Sequence, residues 1–122
     1  MAWTVLFATP FVPEFEALSR DVRRELLAQA NILALLGPPA SRPHVDTLKG
    51  SRHANMKELR FKADNGVWRA VFAFDPDRRA IILVAGDKAG RAQATFYRRL
   101  IAQADTRYDS HLASMGSTKG TR

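Results

Sequence analysis

The run from Met56 to Lys88 constrains the fold most strongly, because it contains three strand-like segments separated by two turn signals. The segments span residues 56–62, 67–75 and 80–85. The first alternates polar and apolar residues, the second is apolar on both faces, and the third is continuously apolar. Asn65 and Gly66 tolerate the positive φ of a tight hairpin, and Pro76 presets the φ of a second turn. The run therefore predicts an antiparallel meander with a covered middle strand.

Five cationic side chains stand in or at the ends of these strands: Lys57, Arg60, Lys62, Arg69 and Lys88. Arg69 lies inside the apolar second strand, where a charge is costly unless its guanidinium reaches a partner or a wet groove. Two interpretations are open for Arg69. It extends its charged end to solvent or pairs with an internal carboxylate such as Glu58, or it belongs to an anion-binding groove, which the neighbouring cations favour.

Charge is unevenly distributed along the 122 residues, whose net charge is +7. Residues 42–91 hold eleven basic and six acidic side chains, whereas residues 1–41 hold three basic and four acidic ones. A basic sheet region after a near-neutral segment indicates a footprint for a polyanion. Further contacts to a phosphodiester backbone are predicted at Lys49, Arg52, His53, Lys62 and Arg91. For Lys49 and Arg52, a solvated linker is the competing interpretation.

Several classes of protein are excluded by composition. The chain has no cysteine, so it can form neither a disulfide framework nor a thiolate metal site. Its three histidines are scattered without the spacing of a zinc site. The apolar run Trp3–Ala8 is too short for a membrane span and lacks the basic lead-in of an export signal. We expect a cytosolic protein with no metal, no cofactor and no membrane association.

The rest of the chain predicts helices and strands around the meander. Residues 3–9 form a first strand, and a helical stripe begins near Pro13 and ends at Gly37, as one long helix or two. Residues 45–48 add a short strand, and a second helix covers residues 92–112. These elements predict one domain over residues 1–115, followed by a disordered basic tail over residues 116–122.

Three stretches resemble the RelE/ParE/HigB toxin superfamily of type II toxin–antitoxin systems, most closely its phage-derived HigB-like branch. They are LKGSRHANMKELRF, NGVWRAVFAFDPDRRAIILVAGDK and TFYRRLI. The resemblance implies an α+β, RelE-like fold: an N-terminal strand and a helical hairpin or long helix pack on a twisted antiparallel sheet of four or five strands, followed by a C-terminal helix. It also implies metal-free cleavage of mRNA at the ribosome, which inhibits translation, and a cognate helix-turn-helix, HigA-like antitoxin.

By position, the resemblance implies catalytic roles for Arg69, Lys88 and Tyr97, with Arg60 and Lys57 as further candidates. An arginine can hold two phosphate oxygens. Nearby positive charge lowers the pKa of a lysine, by disfavouring its protonated form, and of a tyrosine, by favouring its phenolate, which makes either a candidate acid or base. For Tyr97, a packed ring with a solvated hydroxyl is the competing interpretation. Two other functions stay open, a ParE-like inhibitor of DNA gyrase and a non-catalytic nucleic-acid-binding module, because fold does not decide between them.

Overall fold

A computed structural model describes residues 3–40, 44–90 and 92–120, with 116–120 described by their backbone only. The elements in chain order are β1 (Thr4–Phe7), α1 (Phe11–Ala17), α2 (Arg20–Leu36), β2 (Val45–Thr47), β3 (Met56–Ala63), β4 (Gly66–Phe74), β5 (Arg79–Asp87) and α3 (Gln93–Gly120). The strands form one sheet in the order β1-β5-β4-β3-β2. The predicted α+β class is confirmed, and the N-terminal helical stripe forms two helices.

The sheet is mixed, which corrects the prediction of an antiparallel one. Strands β2 to β5 run antiparallel to their neighbours, as the meander requires. Strand β1 pairs parallel to β5, with Val5 opposite Ala80 and Phe7 opposite Ile82. Because most of the chain separates β1 from β5, no hairpin dictates their relative direction.

The β3–β4 hairpin is fixed both by its own turn and by the start of α2. Asp64 and Asn65 have φ values of 49° and 60°, as a two-residue hairpin turn requires. The hydroxyl of Ser19 accepts the backbone N–H of Val22 at 3.1 Å, which caps α2, and donates to Asp64 Oδ2 at 2.5 Å. Asp21 in the first turn of α2 accepts the backbone N–H of Asp64 at 2.8 Å. The hairpin is thereby held beside the N-terminus of α2.

The two long helices cover opposite faces of the sheet. The buried side of α2 consists of Val22, Leu26, Ala30 and Leu33, all of which belong to the predicted stripe. The buried side of α3 includes Phe96, Leu100, Ala104 and Tyr108. Gly37 ends α2 with a φ of 62°, and a Cβ there would lie 2.5 Å from Trp3 Cδ1, so only glycine fits.

Helix α3 continues to Gly120, beyond the end predicted near Leu112. The predicted division into a domain over residues 1–115 and a tail over 116–122 stays a prediction, and residues 121 and 122 lie outside the described part of the chain. Despite its 28 residues, α3 is not apolar enough to cross a bilayer, and neither is any other helix in the described ranges.

The turn between β4 and β5 is built on Asp75, whose side chain is fully buried. Asp75 accepts the backbone N–H groups of Asp77 and Arg79 at 2.9 and 3.0 Å, and the Arg79 Nε–H at 2.9 Å. Its Oδ2 also lies 2.8 Å from His111 Nε2 of α3. Burial alone would raise the pKa of Asp75, but the hydrogen bonds from His111 and Arg79 outweigh burial and the pKa is lowered.

This lowered pKa predicts a loss of stability in acid. A carboxyl group whose pKa is lower in the folded state stabilises the fold above its unfolded pKa of about 3.9 and loses that contribution as the pH falls through the folded pKa. We expect Asp75→Asn to lower the free energy of unfolding near neutral pH by about 3 kcal/mol, because the buried ion pairs of Asp75 with Arg79 and His111 are lost and only the longer contact of Arg79 with Asp77, at 3.8 Å, remains, and to flatten its decline in acid. Urea unfolding across this pH range measures both effects. The exposed turn residue provides the control Asp77→Asn; equal pH dependence in all three proteins would contradict the prediction.

Candidate active site

The candidate site lies on the face of the sheet that α3 covers. Strand alternation places Glu58 and Arg60 on one face of β3, and the register sets Arg60 opposite Arg69 of β4. Tyr97, in the first turns of α3, projects onto the same face, since its hydroxyl contacts both Glu58 and Arg69. The β3–β4 hairpin and the later helix α3 therefore bring these four side chains together.

A continuous chain of hydrogen bonds links the four side chains. Arg60 Nη2 donates to Glu58 Oε2 at 3.2 Å, and the Tyr97 hydroxyl donates to Glu58 Oε1 at 2.8 Å. Arg69 Nε donates to the same hydroxyl at 2.6 Å. We call Glu58, Arg60, Arg69 and Tyr97 the sheet cluster. Glu58 is its centre, with a side chain only 4% exposed.

Arg69 is held in place by neutral groups. Its remaining contacts are the Val67 carbonyl, 3.2 Å from Nη1, and the ring faces of Phe96 and Tyr97, each centred 5.7 Å from Cζ. Among the described residues, no carboxylate forms an ion pair with Arg69. Its positive charge is therefore not neutralised by Glu58, which pairs with Arg60 instead. Of the two interpretations of Arg69, direct pairing with Glu58 is wrong.

Arg69 lines an open cavity of about 350 Å³ together with Lys88. The β3–β4 turn forms one wall of this cavity, and the segment after β5 forms the other. Arg69 of β4 and Lys88, directly after β5, thus border one concave surface. We call it the Arg69 cavity; it suits a small anionic group such as a phosphate.

The pKa of Tyr97 is raised, which corrects the expectation that cations would lower it. Burial raises the pKa of this phenol, and the hydrogen bond and negative charge of Glu58 raise it further, while Arg69 opposes them and is outweighed. Glu58 also raises the pKa of Arg60, against the effect of burial. Tyr97 is therefore a neutral phenol at neutral pH, and its hydroxyl is hydrogen-bonded within the protein, between a donor and an acceptor.

This arrangement can bind an anion and move a proton. Arg69 and Lys88 offer positive charge to a phosphate in the Arg69 cavity. The Tyr97 hydroxyl can pass its proton to Glu58 Oε1 while it receives another, because the two oxygens are already hydrogen-bonded. In the described part of the chain, no group of three acidic or histidine side chains could hold a metal ion.

Comparison with known proteins identifies the family. The family model described as phage derived protein Gp49-like (DUF891) matches residues 13–109. The chain is 43% identical over 106 residues to the candidate toxin HigB2 of Mycobacterium tuberculosis, a match that covers 86% of this chain and 52% of HigB2. It is 43% identical over 100 residues to the candidate toxin HigB3 of the same organism, a match that covers 82% of this chain and 85% of HigB3. The chain belongs to the Gp49-like family, within the RelE/HigB toxin superfamily. It spans about half the length of HigB2 and most of HigB3.

Solved structures confirm the RelE-like fold. A mutant of the E. coli toxin RelE in the free state superposes with a TM-score of 0.62 at 16% identity, covering 88% of this chain and 98% of RelE. The archaeal RelE–RelB complex from Pyrococcus horikoshii OT3 contains a chain that superposes with a TM-score of 0.53 at 24% identity, covering 75% of this chain and all of that one. At these identities the likeness concerns the fold alone.

The remaining predicted site residues of this Gp49-like chain do not join the sheet cluster. Lys57 alternates with Glu58 and Arg60, so it lies on the other face of β3 with Leu59. Lys49 and Lys62 are exposed, on the loop before β3 and near the end of β3. Their roles as RNA contacts stay predictions. Arg91 lies outside the described residues.

Arg52 and His53 are bound to α3. His53 Nε2 lies 2.8 Å from Asp109 Oδ1, and the Arg52 guanidinium pairs with the other oxygen of Asp109. The preceding Ser51 donates to the buried Asp105 at 2.5 Å, and the Arg52 backbone N–H donates to Asp105 at 3.2 Å. These contacts fasten the loop before β3 to the helix. An RNA contact by either side chain stays a prediction and would compete with Asp109.

Glu58 is the site residue that sequence reasoning did not select, because it was considered only as an internal partner for Arg69. Its position carried a usable signal. In an alternating strand, residues two apart share a face, so Glu58 and Arg60 had to lie side by side. What the sequence could not supply is the approach of Tyr97 from α3, which depends on how the helix packs across the sheet.

Proposed function

We propose that the protein is the toxin of a type II toxin–antitoxin system and an endoribonuclease that cuts mRNA at the ribosome. One observation carries the proposal. The Arg69 guanidinium is fixed by the Tyr97 hydroxyl and by two aromatic faces, and it borders a cavity together with Lys88. Because no carboxylate among the described residues forms an ion pair with it, its positive charge is available to an anionic ligand. A purely structural arginine in the middle of a sheet would be expected to pair with the nearby buried acid. Membership of the RelE/HigB toxin superfamily supports the same function.

The proposed reaction is attack of an RNA 2′-hydroxyl on the adjacent phosphate. The 2′-hydroxyl proton passes to the Tyr97 oxygen while the Tyr97 proton passes to Glu58 Oε1, so the buried carboxylate acts through the phenol. The 2′-oxygen bonds to phosphorus, Arg69 binds the phosphate oxygens, and the bond to the 5′-oxygen breaks. Lys88 supplies a proton to the leaving 5′-oxygen. The products are a 2′,3′-cyclic phosphate and a 5′-hydroxyl end, and no cofactor takes part in these steps.

An antitoxin partner follows from the same proposal. The solved archaeal relative is a RelE–RelB complex, and we expect a small helix-turn-helix, HigA-like protein to neutralise this chain. Its gene would lie in the neighbouring reading frame. Action on ribosome-bound mRNA would place the toxin in the cytoplasm.

Translation in a cell extract tests the proposed function. Addition of the protein should stop translation and produce mRNA fragments with new 5′-hydroxyl ends inside the translated region, and the same mRNA without ribosomes should stay intact. Intact mRNA in the translating extract would overturn the proposal. Gyrase-dependent DNA breaks on expression would favour the ParE-like alternative, and salt-sensitive RNA binding without growth arrest would favour the non-catalytic one.

A further inference from the structure

A larger cavity adjoins the Arg69 cavity. Its volume of about 620 Å³ lies within the usual range of small-molecule sites, and its lining includes the aromatic residues Trp68 and Phe96. Asp87 and Ala89 line both cavities, which therefore border each other at the end of β5. The register sets Trp68 opposite Asp87 and Arg69 opposite Gly86, so Trp68 and Asp87 share the face of the sheet that Arg69 does not occupy. We call this larger one the Trp68 cavity. It offers room for a ring next to the place where the proposed reaction needs a phosphate.

Asp87 stands between the two cavities and is an unusual residue for a phosphate site, because a carboxylate repels a phosphate. Its Oδ1 accepts the backbone N–H of Ala89 at 3.1 Å. Within the described ranges, Oδ2 of Asp87 has no hydrogen-bond partner. A half-buried carboxylate with such an oxygen, placed across from the half-buried Trp68, is suited to accept hydrogen bonds from a neutral ligand that carries N–H groups.

Resting on the proposed function, we propose that the Trp68 cavity binds the nucleobase next to the cleaved phosphate and that Asp87 selects guanine there. Unstacked RNA bases bind by stacking on aromatic side chains and by hydrogen bonds along their edges. Guanine presents two adjacent N–H donors, which match an acceptor-only carboxylate. Adenine and cytosine place a ring acceptor beside their amino group, and uracil flanks its single N–H with two carbonyls, so each of them sets an acceptor against the carboxylate.

The variant Asp87→Asn tests this selection with little change in shape. The amide oxygen can still accept the Ala89 N–H, while an amino group replaces the acceptor at the other position. In the translating extract, we expect the wild type to cut where guanine occupies one fixed position relative to the cut, and the variant to lose this preference by at least about tenfold. The control Asp77→Asn makes the same charge change at the opposite end of β5, and its cleavage pattern should equal that of the wild type.

Two results separate failure of the subsite from failure of the proposed function. If the wild type and Asp87→Asn cut the same sites with the same preference, the subsite is wrong and the proposed function stands. If the wild type cuts nothing, the proposed function fails, and the binding of free nucleotides then tests the subsite independently. Guanosine monophosphate should then quench tryptophan fluorescence more than adenosine monophosphate does in the wild type but not in Asp87→Asn, and Trp68→Phe distinguishes the signal of Trp68 from that of Trp3. Equal quenching of the wild type by the two nucleotides would overturn the subsite.

Discussion

Replacement of Arg69 by alanine is expected to lower the rate of mRNA cleavage by about 100- to 1,000-fold, the usual cost of removing a preorganised group that stabilises charge in a transition state. Arg69 is fixed by the Tyr97 hydroxyl and the Phe96 ring before any substrate binds, so its charge needs little reorganisation. The rate of appearance of new mRNA ends in a translating extract measures the effect.

Arg69→Ala also removes packing, because the guanidinium lies over two aromatic rings. Arg69→Lys separates packing from chemistry: the lysine keeps a long stem and the charge but cannot hold two phosphate oxygens, and it should also cut poorly. The exposed residue next to Tyr97 provides the control Arg98→Ala, which should cut at the wild-type rate. Normal cleavage by a folded Arg69→Ala, with thermal unfolding like that of the wild type, would remove Arg69 from the mechanism.

The strands of the meander could be predicted from sequence because each signal is local. Alternation at 56–62, the turn at Gly66 and the turn at Pro76 each act within a few residues, and all three observed strands follow them. The parallel pairing of β1 was missed because it joins residues 75 positions apart, such as Val5 and Ala80. No pattern within a short window encodes such a contact.

Only part of the site could be predicted, because residue types are visible in the sequence but the contacts between distant segments are not. Arg69, Arg60 and Tyr97 carry a residue type and a position that suggest phosphate chemistry, and the structure brings these three together. The pKa of Tyr97 was predicted in the wrong direction, because the count of neighbouring cations in sequence omitted burial and the approach of Glu58. The direction of a pKa shift depends on which charged groups lie in contact with the titrating group, and those contacts are set by tertiary packing.

Glu58→Gln is expected to have opposite effects on the acidity of Tyr97 and on catalysis. Glu58 raises the pKa of Tyr97, so the neutral amide should let Tyr97 ionise at lower pH than in the wild type. Absorbance of tyrosinate measures this, and Tyr97→Phe distinguishes its signal from that of Tyr108. If Glu58 only positioned Tyr97, the more acidic phenol of the variant would cut as fast as the wild type or faster.

If Glu58 accepts the proton, cleavage by Glu58→Gln falls by about 100-fold or more although Tyr97 has become more acidic. The double variant Glu58→Gln/Tyr97→Phe should then be little slower than Tyr97→Phe alone, because groups that act as one relay lose their effect together. The exposed residue Glu16 on α1 provides the matched control Glu16→Gln, which removes one negative charge by the same chemical change. Additive losses in the double variant would contradict a relay and leave Glu58 as a structural partner of Arg60.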